Sequence, residues 1–276
     1  GANRGIGHAI ALALAEAGAD IVGTSRQMSD DESIAKEVRA LGQKFFPFAC
    51  DMKNRAESTA LAKKVLTEVD QVDILVNNAG TIRRENIADY SLADWDEVVE
   101  VNLTAPFILT QDFGKPMLER SAGKVIFISS LLSYQGGIRV PAYTASKSGI
   151  AGLVKAFANE WAGKGVNVNA VAPGWIVSSG MDNYSGDFAK VIIPSLAGNV
   201  PLKRMGTESE VSSAICYLLS DAAAFVSGVT LRIDGAASQG TRMYPLADAT
   251  NSQSYNGFHR AFIPEIFQKK TEAEEE

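Results

Sequence analysis

Along the chain, short apolar runs rich in β-favouring residues alternate with amphipathic stretches of helical period. The runs fall at 20–25 (DIVGTS), 44–49 (KFFPFA), 72–77 (VDILVN), 124–129 (KVIFIS), 166–172 (VNVNAVA) and 229–233 (VTLRI). Each is short, nearly continuous in apolar character and flanked by polar or glycine positions, which predicts strands buried on both faces. Between them, Ile34, Val38 and Leu41 share one face of a segment closed by Gly42, and Asn54 with Glu57 predicts a capping box opening a helix that turns Leu61, Val65 and Leu66 inward. The strongest helical stripe is Ile150, Leu153, Val154, Phe157, Ala158 and Trp161 within 142–163, a pattern of core or subunit contact.

Strand and helix in strict alternation predict an α/β fold, a doubly wound parallel sheet of Rossmann type in a single domain over 1–236, with 237–276 as a C-terminal tail. The alternation lapses twice. Segment 175–206, with its Gly, Ser, Asn and two prolines, reads as an excursion over a pocket mouth. Beyond 236 the period fades into a polar tail whose last five residues include four glutamates, although Phe258, Phe262, Ile263 and Phe267 could dock it.

Composition changes this picture mainly by exclusion. A chain of 276 residues with 46% hydrophobic and 21% charged positions can bury one large core. No apolar run is long enough to span a bilayer and no basic-then-apolar leader opens the chain, so a cytoplasmic protein with no membrane partner is expected. A net charge of −6 argues against a nucleic-acid partner. Cys50 and Cys216 have no paired spacing and read as reduced core residues. With only His8 and His259 there is little for a metal cage or a histidine-based triad to draw on, and no metal is expected.

Candidate chemistry begins at the first residue. Gly1, Gly5 and Gly7 fit a Gly-x-x-x-Gly-x-Gly turn running into a helix carried by Ile6, Ile10 and Leu14. A side chain there would hold the backbone away from a pyrophosphate lying on the helix N-terminus. No strand precedes this turn, and a sheet lacking that central strand is expected to leave two rows of unpaired backbone groups and an apolar trough. The run ending near Arg26 carries no acidic residue for an adenosine ribose. Arg4 and Arg26 stand instead where a 2′-phosphate would lie, which favours NADP(H) over NAD(H). Asp51, followed by Met52, comes just after the 44–49 run and suits either an adenine amino group or a turn. Asn78, Ala79 and Gly80 within Asn-Asn-Ala-Gly allow close approach to a ribose or simply make a tight turn.

Tyr143 and Lys147, four apart, occupy one helix face. An ammonium beside a phenol should lower its pKa towards the range of a working acid or base. Ser130, thirteen residues earlier at a strand end, can bond a substrate oxygen. Pro106 removes the donor that would pair with the Asn102 carbonyl, leaving that carbonyl to hold a relay water or merely to mark a kink. Pro173 and Gly174 set a turn after the next strand, placing Ile176 and Ser178 to meet a nicotinamide. Arg83, Arg84 and Arg139 could clamp a substrate carboxylate or be solvated charges.

In this order the motifs resemble the short-chain dehydrogenase/reductase family. The resemblance implies a seven-stranded sheet, Tyr143 as acid/base, Ser130 orienting substrate, Lys147 also holding the nicotinamide ribose, Asn102 holding a water, and homotetramers or homodimers built on helices near 94–120 and 142–163. Within it, 77–103 and 133–174 are similar to the 2-dehydro-3-deoxy-D-gluconate 5-dehydrogenases and 2-deoxy-D-gluconate 3-dehydrogenases, which implies a small keto or hydroxy sugar acid as substrate. The 201–236 segment and the tail look more like acyl-thioester- or terpenoid-acting members. A 3-oxoacyl-thioester reductase is therefore the alternative, and a catalytically silent dinucleotide-binding scaffold the alternative of another class. Ala236 departs from the family, which often has glycine there.

Overall fold

The structure is a computed structural model that describes residues 1–179, 186–239, 248 and 250–255, with backbone alone over 186–191. All six expected strands form: β1 (Ile21–Ser25), β2 (Phe45–Ala49), β3 (Ile74–Asn77), β4 (Gly123–Ile128), β5 (Val166–Pro173) and, last in the chain, β8 (Thr230–Ile233). Between them run α1 (Gly5–Glu16), α2 (Ser33–Ala40), α3 (Arg55–Glu68), α4 (Leu92–Val99), α5 (Ala105–Glu119) and α6 (Pro141–Trp161). The 175–206 excursion is more regular than its composition suggests. It holds β6 (Ile176–Val177), α7 (Gly186–Gly198) and β7 (Gly206–Thr207), and leads into α8 (Glu208–Leu219).

Every pairing is parallel. The order β3-β4-β5-β8 makes a four-stranded sheet whose faces are told apart by the period-2 alternation of β4. Val125 and Phe127 pack with Ile150, Val154 and Trp161 of α6, whereas Ile126 and Ile128 pack with Ile10 of α1 and Val211 and Ile215 of α8. Helices therefore cover both faces, which is why β4 reads as an unbroken apolar run.

The sheet differs from the seven strands that the resemblance implies. β1 and β2 form a separate two-stranded ribbon, and a cavity of about 530 Å³ lies between β1 and β3. Its walls include Ile21, Val22 and Thr24 on one side and Ile74, Leu75 and Val76 on the other, and no described strand pairs with the facing edge of either. This is the expected trough. Ile74, Leu75 and Val76 of β3, which line it, are half-buried.

Local expectations met two corrections. Ile34 and Val38 are fully buried, but Leu41 is 41% exposed because the helix ends at Ala40 and its C-cap turns outward; Gly42 (φ +86) makes the left-handed stop. Asn54 does cap α3, accepting from Ala56 N–H, yet Glu57 reaches the backbone N–H of Asp51 rather than that of Asn54. The reciprocal capping box is at α8 instead, between Thr207 and Glu210. Ala236 sits at φ +68, a conformation that costs a residue with a Cβ about 1 kcal/mol. Of the tail, Ser252, Gln253 and Tyr255 bond to Arg204 or Thr207; the four apolar residues expected to dock it lie outside the described residues.

Candidate active site

The glycine turn is set by two physical demands. Gly5 has φ +62, a region where a Cβ clashes with the chain itself. Gly7 cannot carry a side chain at all, since a Cβ there would lie 1.9 Å from the Gly1 carbonyl oxygen. Asn78, just past β3, donates from Nδ2 to that same carbonyl at 2.8 Å and fastens the turn to the sheet edge. Arg4, the N-cap of α1, makes no side-chain cap, and the first turn holds no acidic residue. Backbone N–H groups at the start of α1 are thus left for an outside acceptor, and the glycine cradle fits a pyrophosphate.

Around the adenosine end, Arg4 and Arg26 are both exposed, the second directly after β1. Asp51 accepts from Lys53 N–H at 3.1 Å, an Asx-type turn. The Met52 side chain is core, with Ser58 Oγ 3.6 Å from its sulfur, so it can offer a ligand only backbone.

The predicted catalytic residues converge at the carboxyl ends of β3 and β4. Ser130 lies two residues past β4, is 7% exposed, and acts on the Tyr143 phenol in the sense that favours its ionised form. Its Oγ also accepts from Leu132 N–H, capping the 3-10 turn Leu131–Ser133. Tyr143 and Lys147 lie one turn apart on α6. Lys147 is buried and donates from Nζ to the Ile128 carbonyl at 2.7 Å, with Nζ 5.6 Å from the Tyr143 ring centroid. The hydroxyls of Ser129 and Ser133 both reach the Lys147 carbonyl, at 3.1 and 2.7 Å, and moor this part of α6 to the end of β4.

One electrostatic expectation is corrected. The Tyr143 pKa is raised, not lowered: burial outweighs the opposing hydrogen bond from Ser130 and the positive charge of Arg84. Burial alone brings the Lys147 ammonium down to about 8. The physical reason is that a buried site disfavours the charged form of both groups, while the ammonium spends its hydrogen bond on a carbonyl.

Asn102 is 1% exposed and works through its side chain. Thr81 N–H donates to Oδ1 at 2.8 Å, and Nδ2 donates to the Thr81 carbonyl at 2.9 Å and to Ser146 Oγ at 3.3 Å. The helix here is a π-turn (Glu100–Thr104) in which Ala105 N–H reaches back to Glu100, a register widened just before Pro106. The bond network thus ties the loop after β3 to α6 beside Tyr143, whose carbonyl accepts from Ser146 Oγ at 2.8 Å.

Of the three arginines, Arg83 is paired with Glu97 at 2.7 Å and Asp94 at 3.4 Å, and Arg139 lies 3.5 Å from Glu85. Arg84 is the one whose charge acts on the phenol. Pro173 ends β5, Gly174 N–H donates to Ile233 at 2.9 Å, and Ile176 is buried in β6. Ser178 bonds the carboxyl of Glu208, a residue the sequence reading passed over. Glu208 is 3% exposed, burial pushes its pKa up to about 7, and Oε1 has no hydrogen-bond partner. An acidic residue opening a helix usually signals only a favourable dipole position, and nothing local marks it as buried.

Comparison with known proteins accords with this geometry. Residues 1–238 match a family model described as enoyl-(acyl carrier protein) reductase. A 2-dehydro-3-deoxy-D-gluconate 5-dehydrogenase of Pseudoalteromonas atlantica is 45% identical over 236 residues, covering 85% of this chain and 92% of that one. An NADP-bound structure of a protein assigned as a 2-deoxy-D-gluconate 3-dehydrogenase, from Agrobacterium tumefaciens, is 43% identical with a TM-score of 0.79, covering 87% of this chain and 94% of that one. Another, from Beutenbergia cavernae, assigned as an NAD(P)-dependent gluconate 5-dehydrogenase and holding NADP at low occupancy, is 37% identical with a TM-score of 0.81, covering 87% and 95%. The order of the glycine cradle, Asn102, Ser130, Tyr143 and Lys147 on a parallel sheet and the extent of these matches lead to one conclusion: this chain belongs to the short-chain dehydrogenase/reductase family and is an NAD(P)-dependent dehydrogenase/reductase.

Proposed function

We propose that this enzyme interconverts a ketone and a secondary alcohol on a keto or hydroxy sugar acid, with Tyr143 as the acid/base. The observation that carries the reading is the convergence of Ser130, Tyr143 and buried Lys147 at the end of β4, with the Ser130 hydroxyl acting on the phenol. A bound nicotinamide supplies the hydride for reduction or takes it up in oxidation. In reduction Tyr143 gives its proton to the substrate oxygen as the carbonyl carbon gains hydride; in oxidation the phenolate takes that proton back. Ser130 holds the substrate oxygen in line with the phenol. Lys147 would support the phenolate and hold the nicotinamide ribose, and Ile176 and Ser178 would meet the nicotinamide. Asn102 holds the neighbouring loop, and its carbonyl would hold a water passing protons towards Lys147.

Gly1, Gly5, Ile6 and Gly7 would cradle the pyrophosphate, and Asp51, Met52, Asn78, Ala79 and Gly80 would border the adenosine. Arg4 and Arg26 favour NADP(H) over NAD(H), since guanidinium groups suit a 2′-phosphate. The sugar-acid assignment draws support from the names of the relatives and from Arg84, whose cationic field at the phenol suits a substrate carboxylate better than an acyl chain. An acyl-thioester substrate is the second reading, favoured by the description of the family model. We place a homodimer or homotetramer contact on α4–α5 and α6, where Trp95 and Phe107 are 38% and 40% exposed. Light scattering at micromolar protein tests it, a monomer refuting it.

The deciding experiment is nicotinamide-linked turnover of a panel of sugar acids and 3-hydroxyacyl thioesters with wild type, Tyr143→Phe and Arg84→Ala. Tyr143→Phe should lose at least about 100-fold in kcat on every substrate. Arg84→Ala should raise KM for sugar acids but not for thioesters. Retained turnover in Tyr143→Phe refutes the acid/base role, and thioester turnover without sugar-acid turnover refutes the substrate class.

A further inference from the structure

Glu208 poses a physical problem. It is a carboxyl almost wholly withdrawn from solvent, placed against the turn that our reading gives to a doubly negative pyrophosphate. Its Oε1 lies 3.9 Å from the point where a Cβ on Gly5 would stand, and the hydroxyls of Ser179 and Ser178 lie 3.2 and 3.6 Å from that same point. Three side chains thus close over Gly5, at the end of α1 whose N-terminus makes no side-chain cap. Ser178 bonds the carboxyl, yet Oε1 itself has no partner in a position that is 3% exposed. An ionised carboxylate here would repel a pyrophosphate in a low-dielectric site. A neutral carboxylic acid would instead present an O–H donor, as carboxyls held protonated in apolar sites do.

We propose that Glu208 is a proton-linked cofactor-binding residue: its carboxyl is protonated when dinucleotide is bound and donates to a pyrophosphate oxygen over Gly5, so that binding takes up a proton near neutral pH. This rests on the assignment of the glycine cradle to the pyrophosphate. The protonated form is within reach because burial already pushes this carboxyl up to about 7, with only the Ser178 bond opposing. No charged neighbour shares in that balance. Of the other charged and titratable groups on the elements packed against α8, His8 of α1 pairs with Glu37, the Glu16 charge acts on the Cys216 thiol, Arg204 before β7 pairs with Glu210, and Arg232 of β8 lies over the Tyr134 ring, while Arg4, the N-cap of α1, and Asp221, after α8, do not act on Glu208. A bound pyrophosphate would add negative charge and raise the proton affinity further.

The test is the dissociation constant of NADP, read by fluorescence or calorimetry without turnover, from pH 6 to 8.5 for wild type and Glu208→Gln. Glutamine keeps a donor and cannot ionise. Wild-type affinity should weaken relative to Glu208→Gln by up to tenfold per pH unit above about 7, while the two agree to within severalfold at pH 6; taking the ratio cancels the titration of NADP itself. Ser178→Ala should move the midpoint of this loss to higher pH. If Glu208→Gln does not fold, calorimetry of the wild type with NAD, which has no 2′-phosphate, in two buffers of different ionisation enthalpy reads the proton directly. A net uptake approaching one proton at pH 8 is expected, and none overturns the proposal. A wild-type to variant ratio that is flat across pH also overturns it. Failure of both proteins to bind either dinucleotide would instead overturn the cradle assignment.

Discussion

Lys147 shows how far a single residue here is held from its solution behaviour. Its ammonium is buried, its one described hydrogen bond goes to a backbone carbonyl, and its pKa falls from 10.5 to about 8. The folded state therefore disfavours the charge, by about 3 kcal/mol. The sign follows from linkage: folding releases a proton between pH 8 and 10.5, so this cost is fully borne below about 8 and relieved as pH rises to the unfolded pKa. Lys147→Met lacks the titration. Wild type should gain stability relative to the variant by up to about 3 kcal/mol between pH 8 and 10.5, read from chemical denaturation at each pH. The same variant should lose at least about 100-fold in kcat at pH 7. A stability gap that does not change over that window would refute the burial account. The pairing of Tyr143 with Lys147 was legible because a helix makes i and i+4 neighbours. The direction of the phenol's shift was not, since it depends on how much of each group the rest of the chain takes out of water.

The glycine turn, α6 and the π-turn position the chemistry. Gly5 and Gly7 have different reasons to be glycine, one conformational and one steric, and substitution separates them. Gly5→Ala should cost about 1–2 kcal/mol from its positive φ. Gly7→Ala should cost more, about 3 kcal/mol, because an added methyl 1.9 Å from the Gly1 carbonyl forces the turn apart. Thermal unfolding and NADP affinity of the two variants check this, and an equal cost for both would contradict it. Six strands and the long helices were readable in the chain because each is buried on a consistent face, leaving a period. The helix α7 and the short β6–β7 pair were not, because their residues carry glycine and proline that ordinarily mark loops.

In the molecule as a whole, β4 is the strand around which the site's sheet is built: among the described residues it pairs on both sides, to β3 and β5, whereas β8 pairs on one side, to β5. Amides of Thr230–Ile233 that face away from β5 should therefore exchange with deuterium much faster than those of Val125–Phe127. Mass-spectrometric or NMR hydrogen exchange at pH 7 reads this, and equal protection of β4 and β8 would contradict it.

By itself the sequence determined the α/β class, the strand positions and the glycine turn, and singled out Asn102, Ser130, Tyr143 and Lys147 as candidates. All of these rest on local rules of period, turn geometry and helical spacing. Only the tertiary structure decided which arginine reaches the phenol, that Asn102 acts on the Thr81 backbone, that burial sets the protonation of Tyr143 and Lys147, and that Glu208 is enclosed over Gly5. Those outcomes depend on which distant segments exclude water from a given group, and desolvation is a property of the assembled neighbourhood rather than of any stretch of chain.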